Sequence, residues 1–176
     1  MTKQILESER LYLKEFAANN VDKLFKLNGD PNVMKYIREP ITDIKVIENI
    51  INHIIKYYTE HPGFGVWAGY LKSNNEFIGF FELAHMDNTD EIEVGYRLHK
   101  KYWSKGYATE MTNILLDYGF NQMCLKEIVG ITLHGNTASE NVLKKAGLVY
   151  IKDAFFYEVD VKYFRITKAI RQQKGG

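Results

Sequence analysis

Between Thr42 and Gly63 isoleucine recurs with a helical beat: Ile47, Ile50, Ile51, Ile54 and Ile55, then Tyr58, fall three or four residues apart. That spacing lays one apolar stripe along a helix. Thr42-Asp43 opens the helix and His61-Pro62-Gly63 ends it. Such a stripe faces a core, and the chain that follows switches to strand periodicity. Phe64 to Leu71 and Phe77 to Leu83 read as two strands joined by a turn at Ser73-Asn74-Asn75. After a second turn at Asp87-Asn88-Thr89-Asp90, the residues Ile92, Val94, Tyr96 and Leu98 alternate with Glu93, Gly95 and Arg97. This is the fourth strand, and its mid-run glycine marks a bulge or a close backbone approach.

The remaining segments fill in around this frame. Leu11 and Leu13 belong to a short first strand. Asn19 or Asn20 caps a helix carrying Val21, Leu24 and Phe25 and stopped at Gly29, and Asp30-Pro31 starts a further helical turn through Ile37. Met111, Ile114, Leu115 and Tyr118 share a helix face, and Glu127 to Leu133 is a fifth strand. Asn136-Thr137-Ala138-Ser139 begins a helix with Val142 and Leu143 inward and Gly147 as its stop. Val149 to Ile151 and Tyr157 to Ile166 are the last strands, and Lys168 to Gly176 reads as a frayed polar tail. No repeat or linker interrupts the pattern, so residues 1–176 are expected to form a single domain with a core over about 8–167. The expected fold class is α+β (mixed α/β), a mostly antiparallel sheet with helices on both faces.

Composition narrows the function. Of the 176 residues, 45% are hydrophobic and 26% charged, the ordinary globular mix. Basic and acidic residues number 23 and 22, and a dedicated nucleic-acid binder would carry a basic excess. No run approaches the ~20 apolar residues of a membrane span. Met1 to Arg10 lacks the apolar core of a signal peptide. The lone Cys124 cannot form an internal disulfide, which favours a reducing, cytoplasmic location, and it reads as a core residue rather than a nucleophile. The five histidines never stand at metal-ligand spacing, so no metal is expected.

The chemistry concentrates in Tyr102-Trp103-Ser104-Lys105-Gly106-Tyr107-Ala108-Thr109-Glu110, between a strand and a helix. Gly106 and Ala108 let the backbone approach a ligand. The helix that follows opens with unpaired N–H groups and the positive end of its dipole, an anion site. Lys100, Lys101 and Lys105 lie close by in an otherwise neutral chain. These features describe a diphosphate cradle; the bland alternative is a capped helix after a surface loop. Neither G-x-x-x-x-G-K-[ST] nor G-x-G-x-x-G occurs, which counts against a nucleotide-phosphate enzyme.

Glu93-Val94-Gly95-Tyr96-Arg97-Leu98 followed by residues 102–110 resembles the acetyl-CoA signature of the GNAT N-acetyltransferase superfamily, with most similarity to its RimJ/RimL-like branch. Residues 136–148 resemble the later helix of that branch. The likeness covers roughly residues 8–167. Trp103 stands where the superfamily loop has Arg or Gln, Ser104 replaces a frequent glycine and is tolerated at negative φ, and Leu143 takes the place of a tyrosine acid found in many members. The resemblance implies acetyl-CoA as co-substrate and a fourth and fifth strand that splay apart to admit the pantetheine arm. It implies backbone pairing of that arm near Arg97, Leu98 and His99, with the Leu98 N–H donated to the thioester carbonyl. The pyrophosphate falls to Ser104, Lys105, Gly106, Tyr107, Ala108 and Thr109 beside Trp103, and the pantetheine amide to Asn136.

The implied reaction is direct attack of a primary amine, on a protein N-terminus or a small molecule, with a homodimer allowed. A carboxylate acting through water can take the amine's proton. Glu93 ranks first, with Glu91 and Glu82 behind it. Its candidacy requires a bulge at Gly95 to turn it toward the gap between strands; the alternative is a strand-face pair with Arg97. Ser139 is the candidate donor to the thiolate, or else a helix cap. Glu110 is read as stabilising its helix N-terminus. A non-catalytic acyl-CoA sensor is the competing function.

Overall fold

The computed structural model describes residues 3–86 and 88–173. Among the described residues, eight strands make one sheet: β1 (Gln4–Glu7), β2 (Leu11–Glu15), β3 (Gly65–Leu71), β4 (Phe77–His85), β5 (Ile92–Leu98), β6 (Glu127–Leu133), β7 (Val149–Phe156) and β8 (Val159–Thr167). Their order in space is β1-β2-β3-β4-β5-β6-β8-β7. Every junction is antiparallel except β5–β6. The mixed α/β class with a mostly antiparallel sheet is therefore the observed one.

Helices cover both faces. Helices α1 (Val21–Asn28), α2 (Pro31–Met34) and α3 (Ile44–Glu60) accompany one face. Leu24, Leu27, Val33, Ile47 and Ile51 bury there against Ala68, Tyr70, Phe77 and Phe80. Asp43 caps α3 by accepting from the Lys45 N–H, as its short polar side chain should. The isoleucine stripe is narrower than its spacing suggests: Ile47 and Ile51 are buried, whereas Ile55 is exposed. On the other face, α4 (Tyr107–Asn121) and α5 (Thr137–Ala146) contribute Met111, Leu115, Leu116, Phe120 and Leu143 to a core with Trp67, Phe81, Leu83, Val94 and Leu98.

Several expectations are corrected. A strand, β1, precedes the expected first one and pairs with β2, a four-residue edge too short to show a period. The tail is not wholly frayed: Lys168–Gln173 forms α6, and Arg171 grips Asp117 with Nε at 2.9 Å and Nη2 at 3.1 Å. Lys174, Gly175 and Gly176 lie outside the described residues, as does Asp87 of the expected second turn. Tyr157 is not in a strand. Tyr157 and Glu158, at φ 51 and 63, form the two-residue turn between β7 and β8, the left-handed pair such a hairpin requires. Cys124 is exposed rather than core, in the left-handed region at φ 56 between α4 and β6.

Candidate active site

The loop before α4 turns its N–H groups to one side. Gly106 caps the helix at φ 82, and Ser104 is also left-handed at φ 59, contrary to the negative value expected for it. A left-handed residue alternating with others gathers successive N–H groups into an anion-binding concavity, which outweighs the modest strain at a serine. The Trp103 N–H is taken by the Lys100 carbonyl at 3.1 Å, and the Glu110 N–H closes the first helical bond onto Gly106 at 2.9 Å. Among the described residues the N–H groups of Ser104, Lys105, Gly106, Tyr107, Ala108 and Thr109 have no backbone acceptor. Their arrangement fits a diphosphate.

Two of the three expected lysines turn elsewhere. Lys100 donates to Asn32 Oδ1 at 2.9 Å, and Lys101 pairs with Glu76. Lys105 stays at the loop, over the Tyr102 ring. The loop is instead braced by Arg10, which no sequence signal marked. Arg10 Nη1 donates to the Lys105 carbonyl at 3.1 Å, and its guanidinium carbon stands 4.4 Å from the centre of the Tyr107 ring. Arg10 Nε donates to Glu110 at 2.7 Å, and Ser8 Oγ donates to the same carboxylate at 2.6 Å. Glu110 therefore ties the β1–β2 turn to the loop. Burial alone would raise its carboxyl, but the bonds from Ser8 and Arg10 bring it below the ordinary range.

The edge of β5 beside β6 is open. The two strands share one register pair, Glu93 with Val129, whereas β4–β5 pairing runs from Gly79 opposite Leu98 to His85 opposite Ile92. His99 N–H donates to Ile78 O and Met86 N–H to Glu91 O, both at ladder positions. Antiparallel alternation then assigns the backbone of the odd residues of β5 to β4, and that of Tyr96 and Leu98 to the β6 side. His99 is thus corrected: its N–H is taken by Ile78, as register assigns the Arg97 N–H to β4. Beyond the Glu93–Val129 pair, Tyr96 and Leu98 point main-chain groups into the gap. The Leu98 carbonyl is capped by Trp103 Nε1 at 2.8 Å, which leaves its N–H as the donor on that side.

Across the gap, Asn136 rather than Ser139 caps α5, accepting from the Ser139 N–H at 3.2 Å. The Ser139 side chain lies close to the Tyr96 hydroxyl, which burial holds above its ordinary pKa, Ser139 opposing the shift. Tyr96, to which the sequence reading gave only a place in the strand alternation, borders this gap. Leu143 is buried beneath α5.

The face of β5 toward α1 and α3 carries Glu93, Gly95 and Arg97. No register shift interrupts β4–β5, so the bulge expected at Gly95 is absent. Glu93 stays on the face opposite Leu98 and accepts from the Tyr157 hydroxyl at 2.9 Å. Glu91 accepts from the Tyr163 hydroxyl at 2.5 Å. Glu93 does not pair with Arg97, whose Nη1 donates to Asn28 Oδ1 at 2.5 Å. Gly95 has another purpose: it stands opposite Glu82 of β4, and a Cβ there would collide with that carboxylate. Burial raises the Glu82 carboxyl well above the ordinary range, with the Arg97 charge opposing. Burial lowers the Arg97 guanidinium to about 10, Glu82 opposing and Arg38 adding to the effect. Among the described residues, no group of three or more His, Cys, Asp or Glu side chains could hold a metal ion.

The family profile described as an acetyltransferase (GNAT) domain matches residues 10–149, from Arg10 through the cradle to the start of β7. The chain belongs to the GNAT acetyltransferase family. Among curated GNAT-like relatives, the FsC-acetyl coenzyme A-N(2)-transacetylase of Aspergillus fumigatus is 32% identical over 165 residues, covering 88% of this chain and 68% of the relative. Among solved structures, a GNAT-family acetyltransferase from Bacillus anthracis superposes with a TM-score of 0.78 at 25% identity, covering 95% of this chain and 99% of that one. The ribosomal L7/L12 alpha-N-protein acetyltransferase RimL, solved with coenzyme A, shares the fold with a TM-score of 0.79 at 15% identity, over 94% and 98% of the two chains. Acetyl-CoA is the donor general to this family, and among the described residues no helix is long and apolar enough to cross a membrane.

Proposed function

We propose that this protein transfers an acetyl group from acetyl-CoA to a primary amine by direct attack, as a cytoplasmic, RimJ/RimL-like single-domain enzyme. The observation that carries this reading is the row of unengaged N–H groups from Ser104 to Thr109, in line with the open β5 edge at Leu98. The cradle holds the diphosphate, Arg10 and Glu110 keep the loop in shape, and the Leu98 N–H donates to the thioester oxygen as negative charge grows there. Asn136 serves the pantetheine amide through its side-chain N–H groups, since its oxygen caps α5.

The proton chemistry falls to Glu82 rather than Glu93. Glu93 is engaged by Tyr157, whereas Glu82 makes no ion pair among the described residues, and burial raises its carboxyl, which favours proton uptake. The acceptor nitrogen bonds to the acetyl carbon, the carbon–sulfur bond breaks, and the proton lost by nitrogen goes to Glu82. A proton returns to the thiolate from the Tyr96–Ser139 hydroxyl pair, the substitute for the tyrosine absent at Leu143. The test is release of free CoA from acetyl-CoA with a panel of amines. Acceptor-dependent release that disappears in Glu82→Gln supports the reading. Tight CoA binding with no acceptor-dependent release by the wild type makes the protein an acyl-CoA sensor instead.

A further inference from the structure

Arg97 is half-buried on the face of β5 that carries Glu82's partner Gly95, and its guanidinium is only partly satisfied. Nη1 donates to Asn28 Oδ1 and the guanidinium lies over the Phe80 ring, 5.0 Å from its centre. Nε is buried with no hydrogen-bond partner. Nη2 donates to no described residue. A buried N–H without an acceptor is costly, and sites that keep one usually have a group to receive it. The unpaired edge, Nε with Nη2, is the planar fork that grips a carboxylate through two parallel bonds. Glu82 is near enough to oppose the shift of Arg97, yet the two form no ion pair among the described residues. They sit as diagonal neighbours on one face of an antiparallel pair, whose Cα atoms are typically about 7–8 Å apart. A base and a carboxylate fork thus stand side by side with Gly95, which lacks a side chain, between them. Arg38, after α2, adds positive charge on the same side.

We propose that the acceptor carries a free carboxylate next to its amine, as an α-amino acid does, with the carboxylate held by the Nε–Nη2 edge of Arg97 and the amine directed to Glu82. The inference rests on the acetyltransferase reading above and narrows its acceptor. Polyamines and lysine side chains lack the anion; a protein N-terminus offers an amide in its place.

The experiment offers L-amino acids with small, apolar, acidic and basic side chains, each as free acid, as carboxamide and as decarboxylated amine. Losing a charge-assisted fork predicts a fall in kcat/KM of about 10- to 100-fold from the best free acid to its decarboxylated amine, chiefly in KM. Arg97→Lys keeps a charge but loses the fork, and should shrink that ratio about tenfold or more. In the wild type, the Arg97 Nε–Hε resonance should shift on adding the preferred free acid and not on adding its decarboxylated amine. This readout needs no variant to fold. Turnover of decarboxylated amines at least equal to that of the acids overturns this inference and leaves the acetyltransferase reading standing. Absence of transfer to every amine overturns both.

Discussion

The side chain of Glu82 fills the space over Gly95, its partner across the β4–β5 ladder. An ideal Cβ at residue 95 would lie 3.1 Å from both Cγ and Cδ of Glu82, as well as meeting its oxygen. The first prediction follows directly. Gly95→Ala displaces the carboxylate without touching the cradle. We expect kcat to fall at least tenfold while calorimetry finds CoA affinity within about twofold of the wild type. An unchanged kcat would separate Glu82 from the chemistry.

The second prediction concerns pH. A base works when deprotonated, so turnover should rise as pH climbs through the Glu82 pKa, which burial sets above the ordinary carboxylate range. Arg97 opposes that shift, and Tyr57 of α3 also feels the Glu82 charge. Glu82→Gln should lower kcat by about 100- to 10,000-fold, the usual weight of a proton-transfer group, and erase the rising acid limb. A Gln variant that keeps the wild-type limb would assign that limb to another group.

A third test bears on the cradle. Gly106 is left-handed at φ 82, and a Cβ there would approach Arg10 Nη2 to 3.3 Å. Gly106→Val forces a β-branched side chain into a conformation it resists. CoA binding should be lost, and circular dichroism should still show a folded sheet. Retained CoA affinity in this variant would move the diphosphate off the loop.

The fourth prediction is of stability and its sign. Glu110 has a folded pKa below the ordinary value, because the bonds from Ser8 and Arg10 outweigh burial. Its contribution is therefore present above the unfolded pKa and is lost as pH falls through the lower folded one. Glu110→Gln should cost about 1.5–3 kcal/mol at pH 7, the range for hydrogen bonds to charged groups. That deficit should narrow on acidification below about pH 4. CoA affinity should fall too, since the same carboxylate braces the loop through Arg10. Parallel urea titrations at pH 7 and pH 3.5 measure it, and a deficit independent of pH would contradict the account.

The helices and strands around the site were legible because their signals are local. The isoleucine spacing marked α3, Asp43 its cap, the alternation at Ile92 to Leu98 marked β5, and Gly147 marked the end of α5. The loop proposed as the cradle was legible as a segment for the same reason, since its unengaged N–H groups come from one continuous stretch of chain. Pairings between distant residues were not. Glycine at 95 signalled a crowded spot, but only strand register shows that the crowding comes from Glu82 and not from a bulge. Arg10 reaches Glu110 across 100 residues of chain, and Tyr96 meets Ser139 only because β5 and α5 flank the same gap. Periodicity reports which face a side chain takes on its own element. Which charge, hydroxyl or empty space that face meets depends on how the strands align, and that alignment is a property of the folded sheet.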